Sequence, residues 1–238
     1  MIKKRSFIIL MALSAVMILY SLTLFEDTEP YTGFMVTKKI SENFSYVDLF
    51  FSVFLLISVY GDEFKSLSFI TVIGRGISRC KFVLAKFSVT VIITAIVFAV
   101  LFILSVLLWK TTGLSLTPDQ FKFMILSFMT AMLDVIAMVT LSAIIMYLTG
   151  NLPLCLFFYF TINLILPVII YYIEPFTVIG RFHILRYFFS GFCSNAVAYI
   201  MFGAPLQGLG TLLAGILLYI GLSLAVILAI FNKKELDF

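Results

Sequence analysis

The chain is 238 residues long, 63% hydrophobic and only 12% charged, with a net charge of +4. One soluble core of this size cannot enclose that much apolar surface, so the composition excludes a soluble globular domain and describes a membrane protein. The positive balance follows the sidedness of Lys and Arg set out below, and no nucleic acid is expected as a partner.

A bilayer-crossing helix needs about 20 apolar residues at 1.5 Å rise each. Residues 6–25 supply the first. Lys3-Lys4-Arg5 ahead of them looks like the head of a secretory leader, but the apolar run ends in Glu26-Asp27-Thr28-Glu29-Pro30 without a small-x-small cleavage site, so a retained span is expected. Residues 44–60 give the second span if Asp48 sits at the interface. A loop of mixed polarity covers 61–86, and the third span follows at 87–109. The fourth, 123–148, has Asp134 inside it. Thr149-Gly150-Asn151-Leu152-Pro153 breaks the next apolar stretch, so a fifth span is expected at 153–173 and a last one at 208–231. Between these two, residues 174–207 read as an extracellular cap that dips into the membrane and returns. Gly191, Gly203 and Pro205 interrupt it, and irregular backbone at that depth requires cover from protein or a water-filled cavity. The competing reading, a seventh span over 187–207, puts Lys233 and Lys234 outside.

The expected fold class is therefore all-α and polytopic: a single transmembrane domain over 1–238, with six transmembrane helices, a cytoplasmic loop between spans two and three and an outer cap between spans five and six. With both termini inside, ten of the 16 Lys and Arg residues are cytoplasmic, which agrees with the positive-inside bias.

Four features of the sequence bear on chemistry. In the 61–86 loop, Lys65, Ser68, Arg75 and Arg79 project within an arc of about 80° at 100° per residue, opposite Leu67, Ile70, Ile73 and Ile77. Such a helix lies in the membrane interface, and anionic lipid headgroups are its simplest partner. Gly74 and Gly76 predict a break around Arg75. Asp134 reads as the one ionisable residue deep in a span, where a charge costs about 2.5–3.5 kcal/mol on insertion scales. Thr130 shares its helix face, and a hydrogen bond from Thr130 or Asn163 is expected to hold it. His183, with Arg181 and Arg186 in the outer cap, has no second ligand at metal-binding spacing, so no metal is expected. Cys80, Cys155 and Cys193 are scattered and read as small buried hydrophobes. No G-x-x-x-x-G-K-[ST] phosphate loop occurs, so no ATP is bound by this chain and no catalytic residue is expected in it.

Taken in order, acidic Glu63, an apolar stretch, Gly76-Ile77-Ser78-Arg79, then Lys81 and Lys86 leading into a span resemble the second-to-third-span loop of type-2 ATP-binding-cassette (ABC) transporter permeases. The closing Phe231-Asn232-Lys233-Lys234-Glu235-Leu236 is similar to the ending of that family. The resemblance implies a coupling helix that docks into a groove of a separate ATPase. Glu63 would be its acidic position, Ser78-Arg79 its turn and Lys86 its interfacial anchor, with Lys65, Ser68, Arg75 and Lys81 completing the coupling set. It also implies two ABC ATPase subunits carrying ATP and Mg, and a second copy or homologue of this chain in a bacterial cell membrane. The small six-span members that it resembles point to export of an amphipathic cargo, an antimicrobial or cytolytic peptide, or to immunity against one. The family opens with an interfacial helix, whereas only Met1 to Arg5 precede the first expected span, which loads the coupling onto the loop. Two other readings stay open: a proton-coupled secondary transporter using Asp134, and a non-transporting membrane immunity or scaffold protein.

Overall fold

A computed structural model describes Thr37 and residues 48–66, 68–111, 115–174 and 183–233. The expected first span at 6–25 and residue Arg181 lie outside them. Every regular element among the described residues is helical. Helix α1 is Asp48–Gly61, followed by the single turn α2 at Asp62–Lys65 and by α3 at Ser68–Gly74. The long helices are α4 (Arg79–Thr111), α5 (Pro118–Thr149), α6 (Leu152–Ile173) and α8 (Pro205–Lys233), with α7 (Phe189–Met201) between the last two. These four are long and apolar enough to cross a membrane; α1 is a shorter apolar helix.

Local chemistry sets the boundaries. Thr117 caps α5 by accepting from the Gln120 amide, and Gln120 returns a bond to the Thr117 amide, with Pro118 in the first turn. The helix ends on Gly150 in the left-handed region (φ 69°), whose N–H reaches Met146 O at 2.8 Å. Asn151 then caps α6 through the Leu154 amide. The break expected at Thr149–Pro153 is thus a cap back to back with a cap.

The start of α4 differs from expectation. The sequence places a span at 87–109 after a loop running to Lys86, but the helix begins at Arg79. Gly76 takes φ 93°, the chain reverses, and the Ser78 hydroxyl accepts from the Lys81 amide in the manner of an N-cap. Counting uncharged residues missed this, because Arg79, Lys81 and Lys86 ride on the same helix. At 33 residues α4 is about 50 Å long, more than a hydrocarbon core of about 30 Å requires.

Helix α5 is the central helix. In its most apolar window 56% of residues are buried, against 11% for α6, and α1, α4, α6, α7 and α8 all pack on it. Helix α7 forms a hairpin with the start of α8. Gly203 (φ 103°) turns the chain, and the Ala204 N–H reaches Tyr199 O at 2.6 Å. Small residues let the two helices approach closely: a methyl group on Gly208 falls 2.6 Å from Ile200 Cγ1 and 2.8 Å from Ala196 O. At 13 residues α7 is about 20 Å long, too short to cross a bilayer core. A seventh full-length span over 187–207 is therefore not formed.

Gly208→Ala should lower stability by about 1–3 kcal/mol through overpacking against backbone. Gly210→Ala, where nothing lies within 4 Å, should gain about 0.5–1 kcal/mol. Thermal unfolding in detergent distinguishes the two: a lower melting point in the first variant and an equal or higher one in the second.

Candidate functional site

Two regions gather the polar side chains singled out by sequence. The first lies where α1 ends, α4 begins and α5 and α8 end. Five rings from five elements meet there: Phe64, Phe69, Phe82, Tyr147 and Phe231. Phe64 stacks on Phe69 at 4.9 Å between centroids, and Tyr147 meets Phe64 and Phe231 edge-on at 5.1 Å. Each of the five is 6% exposed or less. Edge-to-face pairs of this kind contribute about 0.5–1.5 kcal/mol beyond their buried area.

Charged groups tie down the edge of this cluster. Glu63 and Lys86 form an ion pair, and Lys86 also donates to Val59 O at 2.9 Å. Arg79 reaches 152 residues along the chain to donate to Phe231 O at 2.7 Å, and on to Asn232 O at 3.0 Å. Its guanidinium also lies 5.9 Å from the Phe231 ring centre. The last carbonyls of a helix have no intrahelical partner and carry partial negative charge, so an arginine there satisfies both demands at once.

The rest of the expected coupling set falls around this knot. Lys65 closes α2, and Ser68 opens α3 with its hydroxyl 3.5 Å from Glu63 O. Arg75, Ser78 and Lys81 are exposed. The break expected around Arg75 is formed: α3 stops at Gly74, the chain turns at Gly76, and Arg79 belongs to α4. A further turn at Ser66, which the arc of Lys65 and Ser68 did not anticipate, separates those two residues onto different helices. Phe69, at the edge of the expected arc, is the buried anchor of α3, while Ile77, assigned to the apolar side, is 43% exposed.

The second region is a cavity of about 200 Å³ among α1, α5, α6 and the start of α7. Asp134 lines it, together with Asn163, Met138, Tyr159 and Ser190. So does Asp48, which the sequence reading put at the interface; Asp134 is therefore not the one carboxylate inside the bundle. Oδ1 of both acids is shut off from solvent, without a hydrogen-bond partner among the described residues. The hydrogen bonds expected to hold Asp134 are absent. Thr130 donates to Leu126 O and Ser127 O of its own helix, and Asn163 to Tyr159 O at 3.0 Å. Hydroxyl and amide groups on helices often bond back to the preceding turn in this way, which removes them as partners. The missed signal was Asp48 itself, an acid at the head of an apolar run, where the end of a helix and its interior look alike in sequence.

His183 stands in a left-handed conformation (φ 45°), largely exposed, with Nδ1 3.7 Å from Glu174 Oε1. Arg186 is exposed in the 3-10 turn Ile184–Tyr187. Among the described residues no three His, Cys, Asp or Glu side chains cluster to hold a metal.

Lys86→Met should destabilise more than Glu63→Gln, because Lys86 also holds the Val59 carbonyl. The double-mutant cycle should give a coupling of about 1 kcal/mol, as the pair is partly exposed. Unfolding midpoints in detergent measure it, and additive effects would show that the pair contributes nothing.

No protein-family model matches the chain, and no curated protein or solved structure is similar to it.

Proposed function

We propose that this chain is the membrane-spanning half of an ATP-driven exporter, working with two separate ATPase subunits and a second copy or homologue of itself. The observation that carries the reading is the knot at Arg79. A segment of fewer than 20 residues, from Gly61 to Ser78, is held at one end by the Glu63–Lys86 pair. At the other it joins the arginine that grips the end of α8. A push on that segment reaches α4 and α8 together, as rigid-body rocking requires. Exposed Arg75, Ile77 and Lys81 offer the contact for the ATPase groove. On this reading the knot faces the cytoplasm, and α7 with its hairpin is the returning arm of a re-entrant outer cap. The cargo is an amphipathic molecule, an antimicrobial or cytolytic peptide.

A second reading, a proton-coupled transporter, draws on the Asp48–Asp134 cavity: carboxylates inside an apolar bundle are the usual seat of a proton relay. It requires transport without an ATPase and its loss in Asp134→Asn.

Co-expression with a candidate ABC ATPase, a chain that carries the Walker phosphate loop absent here, separates the readings. Arg75→Glu with Lys81→Glu should cut stimulated ATP hydrolysis more than tenfold while leaving the melting point within about 2 °C of wild type. Unchanged stimulation in that variant rules out docking at this surface.

A further inference from the structure

We propose that the cavity between Asp48 and Asp134 binds an organic cation, an ammonium or guanidinium group on an aliphatic stem. The two carboxylates come from different helices, α1 and α5, and face one space of about 200 Å³. Each leaves an oxygen inside the protein with nothing to accept from among the described residues. The remaining wall sharpens the imbalance. Tyr159 commits its hydroxyl proton to Leu49 O at 3.3 Å, and Asn163 commits an amide proton to Tyr159 O, which leaves the Asn163 side-chain oxygen as a further acceptor. No described Lys or Arg lines the space. Even with the Ser52 and Ser190 hydroxyls as donors, acceptors outnumber donors among the described residues around a void that has room for a side chain, and buried carboxylates persist only when paired or hydrogen-bonded.

A single shared proton neutralises one acid and leaves the other charged. A bare metal ion matches the wall less well, because its ligands would have to be oxygens throughout. Here Met138, Ile162 and Pro167 present apolar surface instead. That surface suits methylene groups, and the rings of Phe188 and Tyr159 offer aromatic faces over which a cation is attracted. Ser190, exposed in the first turn of α7, lines the mouth of this half-open space. The binding site stands on this geometry alone. That the cation belongs to the cargo rests on the exporter reading, and it narrows that cargo to an amphipathic peptide bearing Lys or Arg.

The test uses the full chain in nanodiscs of zwitterionic phosphatidylcholine, which removes attraction by anionic headgroups, and a fluorescent, lysine-containing amphipathic peptide. After subtraction of empty nanodiscs, anisotropy should show affinity falling about tenfold or more when the peptide's lysines are acetylated, and again in Asp48→Asn/Asp134→Asn. Ser190→Leu, which narrows the cavity without changing its charge, should reproduce the loss. Only variants that melt with the wild type are compared, and Asp48→Asn alone replaces the double variant if that does not fold. Equal affinity in wild type and acid variants overturns the proposal in favour of a shared proton. Stabilisation of the wild type alone by sodium over choline, with peptide binding unmoved, overturns it in favour of an alkali-metal site. No ATPase is present in this assay, so its outcome and that of the docking experiment are independent.

Discussion

The arrangement of the helices depends on one long-range contact, the Arg79 guanidinium on the final carbonyls of α8. A helix that is apolar through most of its length must still terminate, and its last four carbonyls then lack partners. In α8 the first of these to be served belongs to Phe231, whose ring is buried in the aromatic cluster. The same residue therefore offers its backbone to a cation and its side chain to Phe69, Phe82 and Tyr147. The bond to Phe231 O is half-buried beside the rings, whereas the one to Asn232 O stays exposed. The hydrogen bond in turn fixes the angle at which α8 enters the cluster.

The central position of α5 follows from this anchoring. Tyr147 near its end belongs to the aromatic knot, and Asp134 near its middle belongs to the cavity. At the level of Thr130 it meets α7, where the Cys193 thiol lies 3.7 Å from the Thr130 carbonyl. One helix thus joins the three regions with unusual chemistry: the knot at one end, the carboxylates midway and the hairpin beyond.

Much of this was legible in the sequence, and what was not has a physical cause. The breaks at Thr149–Pro153 and at Gly203–Pro205 were visible because helix ends need caps, and caps have a restricted vocabulary. The early start of α4 was hidden, because charged residues were counted as loop while helix propensity tolerates Arg and Lys well. The Arg79–Phe231 contact was hidden for a different reason: 152 residues separate its partners, and no local pattern reports a pairing at that distance. The Thr130–Asp134 bond was plausible by spacing alone, yet a hydroxyl on a helix has a nearer acceptor in its own preceding turn. Asp48 was assigned by composition, whereas its location depends on how α1 leans on α5, which only packing determines.

The length of α4 turns small rotations into sizeable displacements. A rod of about 50 Å pivoting near its midpoint moves each tip by about 4 Å for a tilt of about 10°. Because Arg79 occupies the very first position of that rod and holds α8, a tilt of α4 would be passed to α8 at the point where the displacement is greatest.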